Sequence, residues 1–251
     1  GKTLGQMTGN AITYRAQESS ISSTLASNKL IASRFDLMDD ALTNIHENAD
    51  TFSKALINGT ATGTGVEALI TSAKQGLQQT LGSTNLSISG QYLFAGTQSD
   101  VQPVSDGPRP PSTPAKDGLT IMKERFDAYL GSISRDATTV SATDLSTYLN
   151  AASSATHSFS KAFEEAFPAS TSDAATARIS KTETIETSAS ASSAGFRDTL
   201  KSYVMVASLG LDKLGDETRQ ALTTAAQTSL KAGQDGIVRL QADLGVRQNR
   251  L

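Results

Sequence analysis

Ile31-Ala-Ser-Arg-Phe-Asp-Leu-Met-Asp-Asp-Ala-Leu-Thr-Asn-Ile-His-Glu-Asn-Ala-Asp-Thr-Phe-Ser-Lys-Ala-Leu56 carries apolar side chains at Ile31, Phe35, Met38, Leu42, Ile45, Ala49, Phe52 and Leu56. The steps between them are 4, 3, 4, 3, 4, 3 and 4. This heptad seam puts one apolar stripe along a helix, the pattern of long helices packed at a shallow angle. Further back, Ile21 and Leu25 keep the spacing loosely, while Thr24 and Asn28 soften it. The spacing predicts one helix from about Ala11 to Asn58, ~70 Å long at about 1.5 Å per residue. Rods and bundles need such helices; compact enzymes seldom do.

On the C-terminal side, Asn58-Gly-Thr-Ala-Thr-Gly-Thr-Gly65 predicts a glycine cap and a short turn. A second helix is expected from near Thr64, with Val66, Ile70, Ala73, Leu77, Leu81 and Ile88 on its apolar stripe. A loop this short makes the two helices antiparallel. Gln91-Tyr-Leu-Phe-Ala95 reads as strand-like and is closed by Gly96. Five of the six prolines then fall between Pro103 and Pro114, with Asp106-Gly107 and Asp117-Gly118 as turn formers. Met122, Phe126, Tyr129, Leu130 and Ile133 make a short amphipathic piece. One helix is predicted from about Thr143 to Phe167, with Asp144 at its start and Leu145, Tyr148, Ala152, Phe159 and Phe163 on its apolar face. Ile179 and Ile185 among polar partners favour strands. Phe196, Leu200, Tyr203, Val204 and Ala207 return to helix, which ends at Gly210. A last helix from about Asp216 carries Leu222, Ala226, Leu230, Ile237 and Leu244; Gly233 and Gly236 are expected to weaken it.

The expected fold is therefore mainly α with a smaller β-containing part: an elongated antiparallel long-helix bundle with an inserted α+β domain. Residues 1–96 and 196–251 form the discontinuous helical rod. Residues 97–195 form the insert, with β segments and a helix near 143–167.

Composition narrows the function. Apolar residues are 37% of the 251 and aromatics 5%, with no Trp. That composition fills narrow seams between helices better than a wide core. The net charge is −3. Residues 97–195 hold eight Lys/Arg and twelve Asp/Glu, so the acidity sits in the insert. A basic nucleic-acid footprint is absent. No Cys is present, which excludes disulfides, thiolate metal sites and a Cys nucleophile. No apolar run approaches the roughly 20 residues that span a bilayer, and no membrane insertion is expected. The chain starts without Met and a helical pattern runs into Leu251, which reads as a fragment trimmed at both ends.

Candidate chemistry is thin. His46 and His157 are far apart in sequence. Gly59, Gly63 and Gly65 lack the Gly-Lys-Ser/Thr of a phosphate loop and read as an interhelical turn. Asp39-Asp40 and Glu164-Glu165 read as solvated helix faces rather than metal ligands. Asn58-Gly-Thr60 and Asn85-Leu-Ser87 match a glycosylation sequon, taken as chance. No nucleophile, base and oxyanion donors converge, so neither enzyme activity nor a cofactor is expected. Arg109, Lys116, Lys123, Arg125, Tyr129 and Arg135 lie close in sequence and are candidate contacts for an acidic polysaccharide.

Three blocks carry a resemblance. Ser89-Gly-Gln-Tyr-Leu-Phe-Ala-Gly-Thr-Gln-Ser-Asp100 resembles the motif that follows the N-terminal helical pair in flagellin-type proteins. Its Tyr92-Leu93-Phe94-Ala95-Gly96 form is nearer to hook-associated protein 3, the hook–filament junction type, than to flagellin. Leu240 to Leu251 is similar to the start of the family's C-terminal helix. Ala177 to Ser188, with Gly195-Phe-Arg-Asp198, resembles the α-proteobacterial version. The resemblance implies a bacterial, extracellular structural subunit exported by the flagellar type III system. It implies self-association, partnership with flagellin and a second hook-associated junction protein, and an export chaperone. A flagellin proper, a flagellin homologue at the cell surface and a polysaccharide-binding surface adhesin are the other readings. Residues 101–170 carry no resemblance.

Overall fold

The computed structural model describes the backbone of residues 2–58 and 63–251, with side chains from 11 and from 65. The turn expected after Asn58 lies at 59–62, outside the described residues. The fold is mainly helical with two short antiparallel hairpins. Its elements are α1 (Lys2–Asn58), α2 (Gly63–Thr84), β1 (Ser87–Ile88), β2 (Gln91–Tyr92), α3 (Gly118–Ser132), α4 (Ala142–Asn150), α5 (Phe159–Ala166), β3 (Thr176–Arg178), β4 (Thr184–Glu186), α6 (Ala194–Ser208) and α7 (Asp216–Gln248).

Helix α1 is 57 residues long, about 85 Å at 1.5 Å per residue. From Asn10 to Asn58 it contains neither Gly nor Pro, so nothing in its covalent structure breaks it. All eight seam residues from Ile31 to Leu56 are buried, packed beneath α2 and α7. Upstream the same face is bare: Ile21 is 59% and Leu25 57% exposed. The helices α2, α6 and α7 complete the bundle, α6 lying between α2 and α7.

Helices α1 and α7 are also joined by a polar ladder. Gln234, Gln241 and Gln248 stand seven residues apart on α7 and donate to Asp50, Asp39 and Asp36 of α1, at 2.6, 3.2 and 2.9 Å. The α1 partners descend as the α7 donors ascend, which fixes the pair as antiparallel. Asp39, expected to be simply solvated, is a rung of this ladder.

Gly233 and Gly236 do not act as the weak points the sequence suggests. A Cβ on Gly236 would meet the Cα of Gly195 at 2.5 Å, and one on Gly233 would meet the Thr199 backbone nitrogen at 2.6 Å. The glycines let α7 approach α6 backbone to backbone. Ser202 and Ser229 seal the contact by donating to the carbonyls of Ala226 and Asp198, at 2.7 and 2.8 Å.

The single helix expected over 143–167 is two. Helix α4 begins with a capping box, Ser141 and Asp144 satisfying each other's backbone. It stops at Asn150, because Ala151 turns to an extended conformation, φ −63° and ψ 141°. Ser158 then caps α5 by accepting from the Lys161 N–H at 3.1 Å. The run Ala151-Ala-Ser-Ser-Ala-Thr-His157 between them has small and β-branched residues that give a helix little packing reward. The break lets α5 fold back across α3, while α4 lies on α7 and α3 reaches α6. One continuous hydrophobic cluster runs from the long helices into these three.

Candidate functional site

The chain leaves the long helices at Asn85, and the geometry there is dense. Asn85 substitutes for a backbone unit: its Nδ2 donates to the Val104 carbonyl at 2.8 Å, and its Oδ1 accepts from the Val104 N–H at 2.9 Å. This engagement also occupies the amide of the Asn85 sequon. Strands β1 and β2 pair through the two-residue turn Ser89-Gly90, both with positive φ of 51° and 78°. Two left-handed residues make the type I′ turn that matches strand twist, and Gly90 supplies the second at no steric cost. The expected strand over Gln91–Ala95 is thus a tight hairpin followed by a buried turn.

That turn is the motif itself. Leu93, Phe94, Ala95 and Gly96 are buried and Tyr92 is half-buried. Phe94 meets Phe196 of α6 edge-on, ring centres 5.0 Å apart, and its carbonyl accepts from Ala191 N–H at 3.1 Å. Gly96 has φ +63°, and a Cβ there would strike the Asp173 carbonyl and the Ser172 hydroxyl. Ser172 donates to the Ala95 carbonyl, and Thr97 N–H to Asp173 O at 2.9 Å. Further along, Val104 bridges Ala169, and Ser170 N–H donates to the Pro103 carbonyl at 2.8 Å. The segment at 103–105 therefore runs antiparallel beside the segment at 168–170.

The second and third sequence blocks meet as well. Arg247 on α7 donates to the Ser188 carbonyl at 2.9 Å and pairs with Glu186 at 2.8 Å. Arg250 donates to Glu183 at 2.9 Å. From α1, Asn28 reaches the Ile179 carbonyl at 3.2 Å, and Arg34 reaches Gln91 at 3.2 Å. The hairpin β3–β4 is thereby pinned to the open end of the α1–α7 pair.

Of the candidate polysaccharide contacts, Arg109, Lys116, Lys123 and Arg125 each have a partner within the chain. Lys116 pairs with Glu124 at 2.7 Å, and Lys123 pairs with Asp127. Arg125 grips Glu165 with both oxygens engaged, its Nε 2.8 Å from Oε2. That bond, more than the ambient charge, holds the Glu165 carboxyl below the usual carboxylate range. Arg109 donates to its own loop at the Gln102 carbonyl, 2.6 Å away. Tyr129 is buried and donates to the Asp144 carbonyl at 2.7 Å. The Asp144 carboxyl is held below its ordinary range first by the Ser141 hydroxyl, and the charge of Arg135 adds to this.

Glu164 and Glu165, expected to be solvated, belong to different arginines. Arg197 of α6, almost fully buried, donates to the Phe167 carbonyl at 2.6 Å, lies 2.7 Å from Glu164 and stacks 4.3 Å over the Phe163 ring. Within Gly195-Phe-Arg-Asp198 the sequence gives Arg197 no separate role; its one signal is a cation next to the core residue Phe196 and three residues before Leu200. Replacing it with Met should keep most of the packing but leave the Phe167 carbonyl unpaired. The expected cost is about 2 kcal/mol, read as a fall in the urea midpoint with an unchanged m-value.

The two histidines serve separate places. His46 lies 3.8 Å from Asp50 on α1. His157 stands beside Tyr129, ring centres 6.3 Å apart. Among the described residues, no three His, Asp or Glu side chains are grouped as metal ligands would be. No described helix is long and apolar enough to cross a membrane.

The arrangement defines a class: a long-helix bundle with two short hairpins and three shorter helices packed on it. The fold is similar to the solved structure of a provisionally named flagellar hook-associated protein from Vibrio parahaemolyticus. The TM-score is 0.62 at 13% identity, over 94% of this chain and 84% of that one. No protein-family model and no curated protein matches the chain. At that identity the likeness shows a shared fold.

Proposed function

We propose that the chain is a non-enzymatic structural subunit of the bacterial flagellum, and specifically the subunit that joins hook to filament. The observation that carries this reading is the fold likeness over 94% of the chain, and Tyr92–Gly96, buried against α6 just after the first hairpin, supports it. In this reading 1–96 and 196–251 are the rod domain and 97–195 the outward-facing insert. The bare stripe of Tyr14, Ile21 and Leu25 on α1 supports packing against further axial chains, since exposed apolar residues at seam spacing need cover. Further copies, flagellin and a second junction protein supply that cover outside the cell, after delivery by an export chaperone and the type III apparatus. Deleting the gene should leave cells with hooks that shed their filaments into the medium. A deletion strain that keeps normally attached filaments would rule out the junction role.

A further inference from the structure

We propose that one copy of this chain binds the next side by side, the outer ridge of α7 on one copy entering the groove between α1 and α2 on its neighbour. The inference rests on the self-association in the reading above, but not on a place at the hook–filament boundary.

The groove holds about 620 Å³ and is lined by Leu37, Ala41 and Asn44 from α1 and by Gln79, Gly82 and Leu86 from α2 and its end, among others. Leu37 is 37% exposed and Leu86 is half-buried, so part of the floor is apolar and open to solvent. A Cβ on Gly82 would meet nothing within 4 Å, which leaves room for a side chain from outside.

The ridge is Val238, Ala242 and Val246, four residues apart on α7. At about 100° per residue, Ala242 stands ~160° around the helix from the buried Leu244, so the ridge faces out of the bundle. Val238 is 49% and Val246 60% exposed. A convex apolar row and a concave apolar floor each need cover, and each can supply it to the other.

Height and charge select a second copy as the occupant. Gln234 meets Asp50 and Gln248 meets Asp36, so Val238 to Val246 lie level with Ala41 and Asn44. Helices α2 and α7 each pack on both α1 and α6, so the groove and the ridge lie on different sides of the bundle. One copy therefore offers its ridge to one neighbour and its groove to another. A head-to-tail contact at equal height adds no step along the rod, which suits a closed ring of copies. Asp40 lines the groove and Arg239 flanks the ridge; both are exposed, and neither has an ion pair among the described residues. Docking brings these opposite charges to one margin of the contact.

Disulfide trapping tests the contact, because the chain has no Cys of its own. Gly82→Cys and Ala242→Cys change exposed positions. Neither variant alone should form cross-linked dimers under mild oxidation, whereas an equimolar mixture should. The double variant should give a ladder of dimers, trimers and higher species. Asp40→Arg in the Gly82→Cys chain should cut the mixed yield severalfold, and Arg239→Asp in the Ala242→Cys chain should restore it. Single variants that cross-link as readily as the mixture, a double variant without a ladder, or a yield indifferent to charge reversal would each overturn the proposal. A ladder from a chain found only on the cell body would keep this contact and remove the flagellar reading. A chain found at the hook–filament boundary that gives no ladder would do the reverse.

Discussion

Gly236→Ala should destabilise the protein by about 2–3 kcal/mol, although alanine is the better helix former. Intrinsic propensity alone favours Ala over Gly by about 1 kcal/mol in a helix interior. Here the new methyl would sit 2.5 Å from the Gly195 Cα and 2.8 Å from its nitrogen. Both are backbone atoms and cannot rotate aside, so α6 and α7 must separate along their contact. Overpacking of this kind costs about 1–3 kcal/mol or more, and it also stretches the bonds from Ser202 and Ser229 across the same interface. Gly245→Ala is the control on the same helix. A methyl there would meet nothing within 4 Å, so it should stabilise by about 0.5–1 kcal/mol. Urea midpoints moving in opposite directions for the two substitutions check the close approach directly.

Phe94→Ala should be the most damaging truncation in the Tyr92–Gly96 joint, costing about 3–5 kcal/mol. Phe94 is fully buried and lies edge-on to Phe196. Its removal leaves a cavity between the exit from the rod and the first turns of α6. The neighbouring backbone is tied in several directions, to Ala191, Ser172 and Asp173, so collapse into the space is restricted. Besides a lower urea midpoint, hydrogen exchange should quicken at Thr97 and Ala191, whose N–H groups are held at this joint. Phe94→Leu should retain most of the stability.

The long helices were legible because their period is redundant. Eight seam positions in α1 repeat one instruction, and a single Thr or Asn does not erase it. The α4–α5 break was not legible. Ala151 to His157 contains no Gly or Pro, so local sequence permits helix, and the decision lies in how α5 packs on α3. The role of Gly233 and Gly236 is hidden in the sequence for a related reason. Their cost is local and visible, whereas their benefit depends on Gly195 and Thr199, which are close in space and distant in sequence. The basic residues from Arg109 to Arg135 cluster along the chain, but their pairing is set in space. Arg125 finds its partner Glu165 forty residues away, and a one-dimensional reading cannot see that neutralisation. The motif blocks were readable one by one; that Arg247 and Arg250 reach Glu186 and Glu183 required the fold.

The proposed role puts the chain at the boundary of hook and filament. Gold-labelled antibody against the insert, applied to intact flagella and viewed by electron microscopy, tests it most directly. The expected result is label confined to a short collar between hook and filament. Label along the whole shaft would identify a filament subunit instead, and label on the cell body with none on the flagellum would contradict the proposed role.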